Sequence, residues 1–409
     1  MPKQEVQLFV TKKVGFGRNG ELVGSPDARA VHMIRRAIEH AQKLTPAEID
    51  EWADGAMAIA LKELGRTAEE MKVNEVLWVA PVGCQGAGKG TQIKALTEMA
   101  SQANEYFEQV LANGERLNEK IPPELSKLIG QWANAGNIVT GTGGMMRNPE
   151  GEYALLFKGI EVIAKKYSDI GELVPAKFTG VMVTLMTALR LAQGKTTIVG
   201  DLFPRDGKQK EILDQMAYAL RSKGIKVDLT IIDFKMMSES TVQRINGNKE
   251  RSAEMKKWAD SSVTIGKMLK GLVPYLKDLK DGSSAVSIVT GILKAYALVS
   301  PEFKAMAGEV VMAMKRVDAR VVKAGEGKRS DDTLPHVLIN RLASYFIETW
   351  PPMLGFKEAI AVSAAPSEDV VFDNFVMALL KSPRLAIDPC VRGFIRDGQK
   401  RAKKIVEEM

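Results

Sequence analysis

The sequence predicts an α/β fold in which a parallel β-sheet has helices on both faces, joined to an N-terminal α+β module and a helical insertion. Two observations support this prediction. Short apolar runs bounded by turn residues alternate with helical patterns between residues 74 and 233. A glycine-rich loop follows the first apolar run and precedes a helical pattern. Because a helix between two strands can return the chain to the starting end of the sheet, strands that alternate with helices are expected to form a parallel sheet.

The composition is that of an ordinary globular protein. Of the 409 residues, 45% are hydrophobic and 26% are charged, which excludes a disordered or collagen-like chain. No apolar run approaches about 18 residues, so neither a membrane-spanning helix nor a membrane partner is expected. Residues 1–8 are polar and lack the apolar core of a secretory signal. The net charge of +7 permits an acidic partner but does not choose among nucleotides, nucleic acids and anionic lipids.

Cysteine and histidine usage gives no support for a resident metal centre. Cys84 and Cys390 are too few for a disulfide framework or a zinc site. The three histidines are scattered along the chain. Two free cysteines suit a reducing compartment, so a cytoplasmic location is expected.

The first 72 residues are predicted to form an accessory module of the α+β type. A β-like run at 6–14 precedes a turn rich in glycine, and two helical patterns follow. The second helical pattern begins at Thr45-Pro46, with proline at the first helical position. The sequence leaves open whether this module regulates the protein, docks a partner or simply packs.

Residues 73–250 are predicted to form the core, interrupted by an insertion at 105–136. Its predicted strands are 74–82, 137–140, 196–200 and 227–233. Helical patterns lie between them at 91–111, 178–191 and 208–221.

Residues 251–325 interrupt this alternation and are predicted to be a helical insertion. They carry three apolar stripes at helical spacing, separated by Gly282-Ser283-Ser284 and Ser300-Pro301. The methionines in these stripes are expected in the core, because methionine at this spacing fills gaps between packed side chains. Residues 326–409 are predicted to complete the core and to end in helices.

The loop Gly83-Cys84-Gln85-Gly86-Ala87-Gly88-Lys89-Gly90-Thr91 predicts a phosphate-binding site. Glycines allow successive backbone N–H groups to curve around a phosphate, and the following helix N-terminus adds partial positive charge. Lys89 can reach the outer phosphates, and Thr91 can orient a magnesium ion. The predicted ATP-phosphate ligands are Gly83, Gly86, Ala87, Gly88, Lys89, Gly90 and Thr91.

This loop resembles that of the nucleoside monophosphate kinases, adenylate kinase above all, which are P-loop NTPases. Further segments resemble motifs of that family in the family's order. They are Thr142-Gly143-Gly144-Met145-Met146-Arg147, Gly171-Glu172-Leu173-Val174-Pro175, Asp201-Leu202-Phe203-Pro204-Arg205 with Gln209, Arg244 with Gly247, and Arg329-Ser330-Asp331-Asp332 with Arg341. The resemblance covers segments 73–104, 137–250 and 326–356.

The resemblance implies an enzyme that transfers the γ-phosphoryl group of ATP to AMP, giving two ADP, with magnesium as cofactor. Arginine suits this chemistry, because its planar fork grips phosphate oxygens and stays charged. Lys89 would hold the donor phosphates, Arg147 and Arg205 the acceptor phosphate, and Arg329 and Arg341 the transferring group. No side chain is expected to act as a general base.

The remaining implied roles concern the nucleotides and the metal. Arg244 would pack on the donor nucleotide, and Asp201 would orient magnesium through water together with Thr91. The implied AMP site contains Thr142, Gly143, Arg147, Leu173, Val174, Arg205 and Gln209. The Gln209 amide offers the hydrogen-bond pair that suits adenine.

Three departures from the family pattern keep alternatives open. Leu202 stands where the family has glycine, and Asn248 stands where it has a second lid arginine. The helical insertion also replaces the family's short lid. The alternatives are a kinase for another monophosphate or a small acceptor, and a low-turnover nucleotide-binding protein whose N-terminal module or lid binds a protein partner. Nucleic acid is not expected, because acidic residues interrupt the basic C-terminal helix.

Overall fold

The structure is a computed structural model that describes part of the chain. The described residues are 15–16, 22–23, 46–97, 100, 123–133, 175–200, 203–247, 252–279, 282–296, 300–323 and 334–381. The chain divides into two compact units. Unit one comprises Met1–Ala80 and Asn137–Leu229, and unit two comprises Pro81–Gly136 and Thr230–Met409.

The strands form two sheets. Strands β1 (Gly15–Phe16) and β2 (Leu22–Val23) make a short antiparallel pair. The main sheet contains β3 (Glu75–Gly83), β4 (Thr197–Val199), β5 (Lys226–Lys235) and β6 (Ala359–Ser363), all parallel, in the order β4-β3-β5-β6. The predicted α/β fold with a parallel sheet is therefore confirmed.

Helices make up most of the described residues. In unit one they are α1 (Pro46–Glu70), α3 (Ala176–Ala192) and α4 (Gly207–Arg221). In unit two they are α2 (Pro123–Ala133), α5 (Glu239–Gly247), α6 (Ser252–Leu272), α7 (Gly282–Tyr296), α8 (Pro301–Lys323), α9 (Pro335–Ser344), α10 (Trp350–Gly355) and α11 (Glu368–Leu380). A 3₁₀ turn (Val273–Leu276) follows α6, and a π-helical segment (Tyr345–Thr349) joins α9 to α10.

Most predicted elements in the described segments lie where the sequence put them, but strands β1, β2 and β6 were not predicted, and β1 begins at Gly15, where a turn was expected. The predicted strand at 74–82 is β3, and the helical patterns at 178–191 and 208–221 are α3 and α4. The three stripes of residues 251–325 lie on α6, α7 and α8. Strand β6 was missed, because five residues of small and apolar character carry too little pattern to separate a strand from a helix. The strand predicted at 137–140 lies outside the described residues.

Unit one is held by close contact of its helices around a glycine. A Cβ atom built on Gly180 of α3 would lie 2.7 Å from Ile212 Cδ1 of α4 and 2.9 Å from Met57 Cε of α1. Glycine at this position therefore leaves room for the Ile212 and Met57 side chains, which would have to shift to accept a larger residue.

In unit two, the helices of the insertion share a core with α9, the π-helical segment and α10. The Trp258 ring of α6 stacks on the Trp350 ring of α10, with centroids 5.8 Å apart. The Ser262 hydroxyl donates a hydrogen bond to the Phe346 carbonyl oxygen at 2.6 Å. These contacts make the predicted insertion part of the packed interior of this unit. Among the described residues, no helix combines the length and apolar character that crossing a bilayer requires.

Candidate phosphate-binding site

The glycine-rich loop joins the end of β3 to a helix that begins at residue 89. Gly86 and Gly88 have φ angles of 78° and 80°, a conformation that L side chains rarely adopt. Gly83 has φ of 145°, and a Cβ on it would lie 2.7 Å from the Phe234 carbonyl oxygen of β5. Each of these glycines is thus required, either by backbone conformation or by the close approach of a neighbouring strand.

The sheet topology places this loop where α/β proteins usually bind ligands. Strand β3 is the first strand of the main sheet, β4 lies on one side of it, and the later strand β5 lies on the other. The chain therefore reverses its direction of travel across the sheet at the carboxyl end of β3. Ligands of open parallel sheets bind outside the carboxyl ends of the strands at such a reversal.

The loop offers positive charge and hydrogen-bond donors to an anion. Lys89 Nζ donates hydrogen bonds to the Gly83 carbonyl oxygen at 2.8 Å and to the Cys84 carbonyl oxygen at 2.9 Å. The Gly88 carbonyl oxygen accepts the first helical hydrogen bond, from the Gln92 amide at 3.1 Å. Amides in the first turn, including those of Gly90 and Thr91, therefore have no acceptor within their own helix.

The space beside two glycines of the loop is open. A Cβ atom built on Gly88 or Gly90 would meet no described atom within 4 Å, and Thr91 is exposed. The described residues contain no group of three His, Cys, Asp or Glu side chains that could hold a metal. Magnesium does not need such a cage, since it commonly binds one or two protein oxygens together with phosphates and water. The Thr91 hydroxyl fits this requirement.

A buried charged cluster lies in the same unit at the carboxyl end of β5. It consists of Asp233, Lys235, Glu309, Tyr345 and Trp350. Lys235 Nζ lies 2.8 Å from Asp233 Oδ2, 3.1 Å from the Tyr345 hydroxyl and 3.9 Å from the centre of the Trp350 ring. Glu309 accepts hydrogen bonds from the Met236 amide at 3.2 Å and from Trp350 Nε1 at 3.1 Å.

The cluster is closely balanced in charge. Asp233 and Lys235 neutralise each other, so an ionised Glu309 would leave a buried negative charge. Burial raises the pKa of Glu309 to about 7, Lys235 opposes this rise and Asp233 adds to it. Near neutral pH, Glu309 is consequently divided between its protonated and ionised forms.

Cys84, inside the loop, is not set up as a nucleophile. Burial raises the pKa of its thiol well above the ordinary value, and the negative charge of Glu309 adds to that rise, although Lys89 and Lys235 oppose it. Because the thiolate is the reactive form of cysteine, this thiol is expected to be inert and to serve as a small buried side chain.

The structure gives Arg244 partners that the sequence did not indicate. Its Nη2 lies 2.5 Å from Glu302 Oε1 and 3.5 Å from Glu254 Oε2, and its guanidinium lies 5.6 Å from the centre of the Trp258 ring. These partners belong to α6 and α8 of the insertion. In the structure Arg244 therefore forms ion pairs with carboxylates, whereas the resemblance to nucleoside monophosphate kinases implies that it contacts a nucleotide.

The other described candidates lie on separate elements. Arg341 is partly buried in the last turn of α9 in unit two. Arg205 and Gln209 belong to unit one, where the Gln209 side chain is fully buried and its Oε1 accepts the Arg205 amide at 2.8 Å. Gln209 Nε2 is buried without a hydrogen-bond partner among the described residues. In this arrangement the glutamine shapes the turn that carries Arg205.

Several predicted site residues lie outside the described residues. They are Thr142, Gly143, Arg147, Leu173, Val174, Asp201 and Arg329. The loop residues 83–91 are therefore the predicted site residues that the structure brings together.

Sequence analysis missed the buried cluster and one arginine, Arg316, which lies beside the loop. A signal for Glu309 existed, because Glu302, Met306, Glu309 and Ala313 follow the helical spacing of the buried stripe and all are buried. A carboxylate at such a position must have partners. Asp233 lies at the end of a predicted strand, but nothing in the sequence indicated that Lys235, two residues later, is its buried ion-pair partner.

Comparison with protein-family models and with curated proteins found no match for this chain.

Proposed function

We propose that this protein is a phosphotransferase of the adenylate kinase type, which transfers the γ-phosphoryl group of magnesium-bound ATP to AMP. The observation that carries the proposal is the loop at residues 83–91. It combines two left-handed glycines, a lysine and a helix N-terminus at the strand-order reversal of a parallel sheet. A cytoplasmic location belongs to the same proposal.

The reaction follows from charge and position. An oxygen of the AMP phosphate attacks the γ-phosphorus, and the bond from that phosphorus to the β,γ-bridging oxygen breaks. The electron pair of that bond leaves with the donor, so that two ADP molecules form. Such a transfer depends on alignment and charge neutralisation rather than on a general base.

The donor phosphates would be held by groups that the loop already presents. Lys89 exchanges its two carbonyl acceptors for β- and γ-phosphate oxygens, and the amides of Gly90 and Thr91 add neutral donors. Magnesium would be held by the Thr91 hydroxyl, with Asp201 acting through water as the sequence resemblance implies. When bound, magnesium neutralises charge on the phosphate oxygens.

On the acceptor side, the described geometry supports a positioning role for Gln209. Because its Oε1 holds the Arg205 amide, Gln209 fixes the turn from which the Arg205 side chain extends. Recognition of the AMP base by the same amide group would require this turn to open. Arg147, Arg329 and Arg341 keep the roles that the resemblance implies.

A second candidate is a nucleotide-binding protein with little turnover, whose enlarged insertion binds a partner. The ion pairs of Arg244 with Glu302 and Glu254 favour it, because they occupy an arginine that the reaction would use. Transfer to a monophosphate other than AMP, or to a small non-nucleotide acceptor, is the remaining alternative.

A product assay separates these candidates. ADP formation from magnesium-ATP would be measured with AMP, GMP, CMP or UMP as acceptor. The proposal predicts turnover with AMP that Lys89→Ala reduces by about 100-fold or more, as expected when a group that stabilises the transferring phosphates is removed. Lys94→Ala is the matched control, since Lys94 is exposed one turn further along the same helix. ATP binding without turnover on any acceptor would support the second candidate and refute the first.

A further inference from the structure

Helix α8 of the insertion lies directly against the phosphate loop. A Cβ atom built on Gly86 would lie 3.1 Å from the Ala313 carbonyl oxygen, 3.3 Å from Arg316 Cβ and 3.4 Å from Val317 Cγ2. The loop therefore contacts one face of α8 with its backbone, and no side chain separates the two. Arg316 is the residue of that face whose side chain carries a charge.

The Arg316 side chain bridges from this contact to the turn after β6. Its Nη2 donates a hydrogen bond to the Ala365 carbonyl oxygen at 3.3 Å, and the residue is partly buried. The helix α11 that follows this turn contacts the helix after the phosphate loop, since Gln92 Nε2 donates to the Glu368 carbonyl oxygen at 3.4 Å. Arg316 is thus held between the phosphate loop and a second segment at the carboxyl edge of the sheet.

The charge of Arg316 has no counter-ion in the described part of the chain. Among the described residues, no carboxylate lies within 4.0 Å of its guanidinium, and its one hydrogen bond uses one of five N–H donors. By contrast, Arg244 has two carboxylate partners. An arginine is charged at every physiological pH, so a partly buried one beside an anion-binding loop is suited to a phosphate.

We propose that Arg316 contacts the phosphates of the donor nucleotide, and that α8 is a fixed wall of the donor site. This inference rests on the proposed function and adds a binding residue that the sequence motifs do not contain. In this arrangement Arg316 takes the donor-side position that the motifs assigned to Arg244. The guanidinium keeps its bond to Ala365 and directs its other N–H groups toward phosphate oxygens.

The alternative is that Arg316 only tethers the turn after β6. Two variants distinguish the roles. Arg316→Gln keeps an N–H donor for the Ala365 carbonyl oxygen but removes the charge, and Arg316→Lys keeps the charge but removes the planar fork. Lys315→Ala, an exposed neighbour on the same helix, is the matched control.

Equilibrium binding of ATP and of adenosine to the full chain tests the inference. Arg316→Gln is expected to weaken ATP binding by about 10- to 100-fold, the range for loss of a charge-assisted hydrogen bond, and to leave adenosine binding within about twofold. Arg316→Lys is expected to lose less ATP affinity than Arg316→Gln, and Lys315→Ala is expected to bind ATP as the wild type does. Unchanged ATP affinity in Arg316→Gln would overturn the inference, as would an equal loss for ATP and adenosine.

Failure of this inference is distinguishable from failure of the proposed function. If ATP binds in an Arg316-dependent manner but no acceptor is phosphorylated, the inference holds and the kinase proposal falls. If AMP is phosphorylated and Arg316→Gln binds ATP as the wild type does, the kinase proposal holds and the inference falls.

Discussion

The most quantitative prediction concerns Glu309, whose replacement by glutamine should change how stability depends on pH. Glu309 is fully buried on α8 and accepts hydrogen bonds from the Met236 amide and Trp350 Nε1. Burial raises its pKa from the ordinary value of 4.5 to about 7 in the folded protein. At pH values between 4.5 and about 7, the folded state therefore keeps a proton on Glu309 that the unfolded state has already released.

The sign and size follow from proton linkage. Stability falls with rising pH wherever the folded state holds more protons than the unfolded state. For a shift from 4.5 to about 7, at about 1.4 kcal/mol for each pH unit, the full contribution of this carboxyl group is about 3.4 kcal/mol, of which about 2 kcal/mol is lost between pH 5 and pH 7. Above about pH 8 its contribution should level off, because both states are then ionised.

Urea unfolding of wild type and Glu309→Gln at several values between pH 5 and pH 8 measures this contribution. The difference in free energy of unfolding between the two proteins should shift by about 2.5 kcal/mol across the range, with the wild type relatively more stable at the acidic end. Glutamine does not titrate, so other groups cancel in the difference. A difference that stays constant with pH would refute the assignment of a raised pKa to this buried carboxyl.

Five further substitutions, which make three comparisons, test the packing of unit two by urea unfolding at pH 7. Gly88→Ala should lower the free energy of unfolding by about 1–2 kcal/mol, because this position has a positive φ. Gly86→Ala should lower it by about 1–3 kcal/mol more than Gly88→Ala does, because the added Cβ would also contact α8. Gly266→Ala should lower the free energy of unfolding by about 2–3 kcal/mol, because its Cβ would lie 2.9 Å from a backbone carbonyl oxygen. Gly271→Ala, on the same helix, has open space and should raise the free energy of unfolding by up to about 1 kcal/mol. Lys235→Met should cost about 3–5 kcal/mol, because it leaves a buried carboxylate uncompensated.

Each of these comparisons can fail in a definite way. Equal costs for Gly86→Ala and Gly88→Ala would contradict the contact between the loop and α8. If Gly271→Ala lowered the free energy of unfolding, this would contradict the open space beside Gly271, and the variant could not serve as the control for Gly266→Ala. A Lys235→Met protein as stable as the wild type would contradict the view that Lys235 stabilises the buried Asp233 carboxylate.

The sequence predicted the parts of the fold that depend on local pattern. Strand β3 was predicted because a short apolar run is bounded by turn residues, and α8 because Ser300-Pro301 precedes a regular apolar stripe. In the structure Ser300 Oγ accepts the Phe303 amide at 3.0 Å, a capping bond that the residue types favour. Such signals lie within a few residues of each other, so they can be recognised without knowing the tertiary structure.

Features that depend on distant segments could not be predicted in the same way. Glu309 and Lys235 are far apart in sequence, and Glu309 joins the cluster through the packing of α8 against the end of β5. The ion pair between Arg244 and Glu302 has the same origin. For the phosphate site, the residue types of the loop were informative, but the contact of Arg316 with Gly86 required the path of an insertion that has no counterpart in the family it resembles.

The central claim is that the loop at residues 83–91 holds the phosphates of ATP. Calorimetric titration of magnesium-ATP into wild type, Lys89→Ala and Lys94→Ala tests it most directly. The account predicts saturable one-site binding to the wild type, an affinity at least about tenfold weaker for Lys89→Ala, and unchanged affinity for Lys94→Ala. Equal affinity of all three proteins for ATP, or no binding to the wild type, would contradict it.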